Sequence, residues 1–420
     1  MSNLFKKIFL PLRIALKSLK GSKGRTFLTI FGIVIGIAAV IIVMSAGDSL
    51  KGLVLGQLES FGSDVIQIEP KVPTTGKNST ANATTMAEGV QITTLTLDDA
   101  QAINKLPNIK NYYAAVFGQD VVSYLGENKS INFMGTSPSV IDIDKSKVDK
   151  GRFYTTDDDN QLAKVVVLGS KVADTLFVGQ NPINQDVKIG KNKFRVIGVL
   201  KERGAGFGLD FDQLVYMPIQ TAQKLVMGID YVLFVTAQVK DTSIQDQTAE
   251  DIAFLLRERH NITDSTKDDF GVTTMAEARN MIDSIFGGIT LLLIAIAGIS
   301  LLVGGIGIMN IMYVSVTERT FEIGLRKAIG AKRRQILWQF LFEAIVVTLL
   351  GGLVGILVGA SLSYLISLVA GQFGFIWSFS LPPSAIIIAF GFCGAVGLIF
   401  GYYPAQKAAN MDSITALRHE

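Results

Sequence analysis

Apolar residues along this 420-residue chain gather into four long runs, Thr26–Ala46, Ile285–Met312, Ile336–Val369 and Ala385–Tyr403. A helix needs about 20 such residues to cross a hydrocarbon layer about 30 Å thick, so each run predicts a transmembrane helix. The second and third are joined by Val314–Gln335, where Glu318, Arg319, Glu322, Arg326, Lys327, Lys332, Arg333 and Arg334 crowd together. Its excess of Arg and Lys places this loop on the cytoplasmic face. An orientation signal alone needs no further order, yet the loop is patterned. Glu322 precedes Arg326 in the favourable direction for a helical ion pair, and Phe321, Leu325 and Ala328 recur at helical spacing. Gly330 then supplies a helix stop. The expectation is a short amphipathic helix around Thr317–Ala328 that docks a cytoplasmic partner. Thr317, Glu318, Arg319, Glu322, Arg326 and Lys327 would give its polar contacts, Phe321 and Leu325 its apolar ones.

The opening segment carries Lys6, Lys7, Arg13, Lys17, Lys20, Lys23 and Arg25 and no acidic residue before Asp48, which keeps the N-terminus inside. Phe5, Ile8, Phe9, Leu12 and Leu16 give it an apolar face suited to the membrane surface. A cleaved signal peptide is disfavoured, because the first run is full length and continues without a small-x-small site and polar break. Four crossings return the C-terminus inside, beside Lys407 and Arg418. The organisation is then 1–25 cytoplasmic amphipathic segment, 26–48 first span, 49–284 extracytoplasmic domain with its stalk and 285–313 second span. There follow 314–335 coupling loop, 336–370 third span, 371–384 short external loop, 385–403 fourth span and 404–420 cytoplasmic tail. The fold class is an α-helical membrane protein with four transmembrane helices and a large α+β extracytoplasmic domain inserted between helices 1 and 2.

Within that domain, Leu50, Leu53, Val54, Leu58 and Phe61, and again Met275, Ala278, Ile282 and Ile285, form helical stripes that read as a stalk. Strands are expected at Asp64–Glu69, Asp120–Tyr124, Ile131–Met134, Lys164–Leu168, Phe194–Leu200 and Tyr231–Val239, with a hairpin turn near Gly190–Asn192. Helices are expected at Thr96–Lys105, where Thr96 and Asp99 suggest an N-terminal cap, at Lys171–Phe177 and at Gln247–His260. Residues 71–91, poor in apolar side chains, read as a mobile loop.

Composition agrees with a membrane protein: 49% of residues are hydrophobic and 18% charged, and the mean hydropathy is +0.39. A net charge of +3 is too small to argue for nucleic acid, and the cations cluster beside the spans, where membrane lipids are the neighbours. The lone Cys393 excludes an intramolecular disulfide. Gly32 with Gly36, Gly351 with Gly355 and Gly359, and Ser300 with Gly304 make small-xxx-small faces, which predict close helix packing in a compact, dimeric bundle. No charged residue stands deep in the apolar centres, which disfavours a secondary transporter with a charged midplane site. No phosphate loop is present, and GSKGRT at 21–26 lacks its spacing. His260, His419 and one cysteine cannot build a metal cluster. Both histidines are expected in solvent, as are Asp157, Asp158 and Asp159. No catalytic residue, metal or cofactor is expected in this chain.

Gly304–Gly330, GGIGIMNIMYVSVTERTFEIGLRKAIG, and the tail YPAQKAANMDSITALRHE resemble MacB-type ABC transporter permeases, the type VII or mechanotransmission family. Gly151–Phe153 (GRF), Lys164–Gly169 (KVVVLG), Phe194–Leu200 (FRVIGVL) and the opening TFLTIFGIVIGIAAVI are similar to the same family, so the resemblance covers nearly the whole chain. It implies a homodimer of four-span subunits in a prokaryotic cell membrane, each gripped at the loop helix by an ABC ATPase that carries the ATP and Mg. Here that ATPase would be a separate subunit. The resemblance implies export of peptides, antibiotics or other amphipathic molecules, with a membrane-fusion adaptor as a further partner. Lipoprotein extraction, and signalling to a cell-wall hydrolase without transport, stand as alternatives. A receptor or adhesin would leave the 314–335 loop unexplained. Phe321 stands where a polar or basic residue is usual, and Ser413 where proline is common.

Overall fold

A computed structural model describes residues 23–59, 62–73, 92–206, 209–372 and 377–417. The basic opening segment, most of the 71–91 loop, Phe61 and His419 lie outside the described residues. The chain forms two compact units. One holds residues 54–281, and the other joins the N-terminal 53 residues to 282–420.

In chain order the elements begin with α1 (Lys23–Glu59), β1 (Val65–Pro70), α2 (Leu97–Ile103), β2 (Ile109–Tyr124) and β3 (Glu127–Thr136). Next come α3 (Val140–Ile143), β4 (Val148–Gly151), α4 (Thr156–Asn160), β5 (Val165–Leu168), α5 (Ser170–Phe177), β6 (Asp186–Ile189) and β7 (Asn192–Leu200). A two-stranded ribbon, β8 (Ala205–Gly206) and β9 (Leu209–Asp210), precedes β10 (Leu214–Pro218), α6 (Ile219–Thr221), β11 (Phe234–Val239), α7 (Gln245–Arg259) and β12 (Phe270–Thr274). The chain ends with α8 (Met275–Glu318), α9 (Thr320–Ala328), α10 (Arg333–Gln372), α11 (Pro383–Asn410) and α12 (Ser413–Leu417).

The domain of residues 54–281 is built on a ten-stranded sheet of order β12-β1-β11-β2-β3-β10-β5-β7-β4, with β6 bridging β2 and β7. The pairs β10/β3 and β5/β7 are parallel and the rest antiparallel. Alternation of side chains across the pleat supplies two cores. Ile66, Ile68, Phe133, Phe194 and Val235 belong to one. Val65, Tyr113, Met134, Val167 and Tyr216 belong to the other. Two motif glycines explain the tight rim of the sheet. Gly151 pairs with Gly198 across β4 and β7. A Cβ on Gly151 would lie 2.1 Å from the Ile197 carbonyl oxygen, and one on Gly198 2.3 Å from that of Arg152.

The expected strands are all present, but β2 begins at Ile109, eleven residues before the alternation at Asp120–Tyr124 announced it. Thr96 caps α2 as expected: its Oγ1 accepts from the Asp99 N–H while Asp99 accepts from the Thr96 N–H. Two expectations of solvation are overturned. Asp159 is buried in the short helix α4 and accepts from the Gln220 N–H, and burial raises its pKa. His260 is also enclosed, its Nδ1 2.8 Å from Asp269 Oδ1 and its Nε2 3.5 Å from Asp99 Oδ2. Residue type alone cannot reveal either contact: Gln220 lies 61 residues from Asp159, and Asp269, nine residues from His260, meets it only once the chain turns back after α7.

In the other unit, α1, α8, α10 and α11 are long and apolar enough to cross a membrane. Pro383 opens α11 at a position where a missing N–H costs nothing. The glycine faces pack within the chain. Gly32 meets Gly304 at backbone distance, and a Cβ on Gly36 would strike Leu301. Cβ atoms on Gly355 and Gly359 would lie 2.8 Å from Ile37 and Ile41, and Gly351 is buried. Ser300 departs from expectation: it faces outward while Gly304 faces inward. Four residues along a helix advance 400°, so a face is shared only near its centre line.

Candidate coupling site between the second and third spans

The patterned loop is two helical pieces rather than one. α8 runs to Glu318, Arg319 breaks the helix with φ −104° and ψ 17°, and α9 continues from Thr320 to Ala328. Thr317 and Glu318 therefore belong to the last turn of the second span, where both are exposed. The Thr317 hydroxyl donates back to the Val314 carbonyl. Gly330, at φ +99°, closes α9, and the Ala331 N–H reaches the Arg326 carbonyl. The Gln335 side chain then caps the start of α10 by accepting from the Lys332 N–H.

The charges of this loop divide by role. Glu322 and Arg326 form the expected pair, and Arg326 also donates to Gln339 Oε1 at 3.0 Å. Arg319 and Lys327 turn inward instead of presenting polar contacts to a partner. Arg319 Nη1 straddles Glu343 at 3.2 and 3.3 Å from its two oxygens, with the carboxylate side chain only 6% exposed. Lys327 Nζ donates to the Ala409 and Met411 carbonyls at 2.7 and 2.5 Å. These are orphan acceptors at the end of α11, which lacks further N–H groups to satisfy them. Burial lowers the Lys327 pKa and Arg333 adds to the effect, with Asp412 opposing. Ile323 and Gly324 are buried. A Cβ on Gly324 would stand 2.8 Å from Ala416 Cβ, so this glycine lets α12 lie against α9.

With one side of α9 fastened in this way, Phe321, Leu325 and Ile329 project from the other, 57%, 48% and 80% exposed. Ile329 extends the apolar stripe that Phe321, Leu325 and Ala328 predict. Glu343 and Gln339 carry no sequence signal beyond their place in an apolar run, and the sequence reads Lys327 as a contact for a partner with no hint of its bonds to the end of α11. The arrangement is a rigidly mounted helix with an apolar edge and a charge pair beside it. Its chemistry suits binding.

Residues 26–254 match the MacB-like periplasmic core domain, and residues 294–413 match the FtsX-like permease C-terminal. The chain is 39% identical over 406 residues to the macrolide export ATP-binding/permease protein MacB of Bdellovibrio bacteriovorus, covering 96% of this chain and 61% of that protein. Its likeness to the protein of the same name from Wolinella succinogenes is 37% identity, covering 100% and 62%. The chain thus spans about three fifths of the length of these relatives. Among solved structures, the periplasmic region of MacB from Actinobacillus actinomycetemcomitans is 21% identical, with a TM-score of 0.46, covering 55% of this chain and 97% of that one. The extracellular domain of the noncanonic ABC-type transporter YknZ from Gram-positive bacteria is 23% identical, with a TM-score of 0.40, covering 50% and 99%. A core-domain match over more than half of the chain, followed by the permease match, settles the relationship: this chain belongs to the MacB-like ABC transporter permeases.

Proposed function

We propose that the chain is the non-catalytic permease subunit of an ATP-driven export complex in a prokaryotic cell membrane. Both termini would lie in the cytoplasm, and residues 49–284 outside. In this reading an ABC ATPase binds its ATP and Mg and grips α9, two copies of the permease work together, and the external domain moves amphipathic cargo such as peptides or antibiotics toward an adaptor. The observation that carries the proposal is the exposed Phe321, Leu325 and Ile329 edge on a helix otherwise locked to the bundle. An apolar edge at the water boundary gains from being covered, and the Glu322–Arg326 pair beside it can set orientation. The macrolide export named for the relatives supports amphipathic cargo.

The test replaces Phe321 and Leu325 together with Asp. Both are exposed, so the permease should insert and melt as the wild type does. It should lose co-purification of the ATPase and substrate-stimulated ATP turnover. Undiminished ATPase binding by the doubly substituted protein overturns the assignment of α9 as the coupling helix.

A further inference from the structure

A cavity of about 380 Å³ opens where α9, the start of α10 and the end of α11 meet. It is lined by Lys327, Ala331, Arg333, Ala409, Asn410 and Ser413. Among the described residues no carboxylate lines it, and each of its four polar side chains can donate a hydrogen bond. Lys327 has three N–H groups, of which the Ala409 and Met411 carbonyls take two. The ion pairs of the loop, Arg319–Glu343 and Arg326–Glu322, leave Arg333 without a carboxylate among the described residues. Lys327 and Arg333 repel each other here, and Asp412 offsets part of that repulsion. The start of α10 adds to the field. Its Lys332 N–H is taken up by Gln335, but those of Arg333 and Arg334 find no acceptor among the described residues, as first-turn groups of a helix do not. The cavity therefore suits an anion with several acceptor oxygens.

Its size and depth say which anion. At about 30 Å³ per water the cavity holds about twelve, room for a phosphodiester with its glycerol and more than a bare ion fills. Trp338, five residues beyond Arg333 along α10, is exposed, as are Tyr402 and Tyr403 near the end of α11. Exposed Trp and Tyr at span ends mark the headgroup level of a membrane. Arg333 stands about 8 Å along the helix from Trp338, a gap that its side chain and a lipid headgroup bridge between them. Basic pockets between spans at a membrane face take anionic headgroups.

We propose that this cavity binds the phosphate headgroup of an anionic membrane lipid, with Arg333 as its ion pair and Lys327, Asn410 and Ser413 as hydrogen-bond donors. Bound there, the phosphate joins α9 to α10 and α11 and relieves the repulsion between Lys327 and Arg333. The site lies on the fastened side of α9, away from the Phe321 edge, so it is separate from the ATPase contact proposed above.

Native mass spectrometry of the full-length permease in detergent, titrated with phosphatidylglycerol at about 0.15 M salt, tests it. Arg333→Gln should weaken the first binding event about tenfold and Ser413→Ala about threefold, while Arg333→Lys keeps most of it. Arg334→Gln removes a cation outside the lining and should stay within about twofold at that salt. Phosphatidylcholine, whose phosphate carries its own cation, should bind about tenfold more weakly than phosphatidylglycerol. Undiminished phosphatidylglycerol binding by Arg333→Gln overturns the site. Equal losses in Arg333→Gln and Arg334→Gln overturn it too, since diffuse attraction to the basic loop then suffices. Displacement of the lipid by millimolar inorganic phosphate assigns the cavity to a soluble phosphate and overturns the lipid as its occupant. Should Arg333→Gln melt below the wild type, Ser413→Ala and the phosphate competition still read the same cavity.

Discussion

Substituting Arg319 with Met tests the anchoring of the elbow between α8 and α9. The residue removed is the only cation hydrogen-bonded to Glu343 among the described residues. At about 3.3 Å and an effective dielectric constant of about 20, the gross attraction is about 5 kcal/mol. Most of it is offset by the desolvation of two charges, so the intact pair adds little net stability. Breaking it is another matter. Glu343 sits about three turns inside α10 with a 6% exposed side chain, and a buried charge left without its partner costs about 3–5 kcal/mol. Arg319→Met is therefore expected to destabilise the protein by about that amount, and Arg319→Met with Glu343→Leu to recover most of the loss. Unfolding can be followed by SDS titration of full-length protein in mixed micelles, with Trp338 as the reporter after Trp377→Phe. A single variant within about 1 kcal/mol of the parent, or a double variant as unstable as the sum of the singles, refutes the reasoning by the logic of the cycle.

Gly355→Ala should cost about 1–3 kcal/mol in the same titration, because its Cβ would sit 2.8 Å from Ile37 Cβ and 3.0 Å from the Val34 carbonyl oxygen. Gly394→Ala, where a Cβ meets nothing within 4 Å, should be close to neutral, and equal losses would deny the close α1–α10 approach. Burial pushes the Asp99 carboxyl up, but Thr96 and Arg259 outweigh it, so the net shift is downward. The charged form therefore stabilises the fold above about pH 4 and that contribution is lost as pH falls further. Asp99→Asn should melt below the parent at pH 7 by about 1–2 kcal/mol, with the gap narrowing below pH 4, and a pH-independent gap would refute the assignment. Asp159, raised by burial, has the opposite sign: Asp159→Asn should be more stable than the parent at pH 7 and lose that advantage as pH falls.

Much of the fold was legible because its signals are local. The four spans announce themselves by length and hydropathy, α2 by its cap, and the β6–β7 hairpin by its turn residues and alternation. β2 was only half visible: IKNYYAAVFG, from Ile109 to Gly118, places buried Tyr113, Ala114, Ala115 and Val116 consecutively. A strand covered on both faces loses the period of two. His260 and Asp159 were misread for a different reason. A polar residue defaults to solvent unless another part of the fold meets it, and Asp269, Asp99 and Gln220 do so only after the chain has folded.

At the 314–335 loop, sequence and structure differ in what the charges do. Read linearly, the cations of 314–335 form one polar surface. In three dimensions, Arg319 is spent on Glu343 and Lys327 on the end of α11, so two of the strongest candidate contacts hold the loop in place. A loop fastened only by the apolar contacts of Ile323 could rock on its mount, because dispersion contacts have little angular preference. Directional bonds from Arg319 at one end of α9 and Lys327 at the other remove that freedom. The helix is thereby fixed to α10 through Glu343 and to α11 through its terminal carbonyls, with Phe321, Leu325 and Ile329 on its exposed edge. Phe321 stands in that edge, where an apolar side chain adds buried area to a contact.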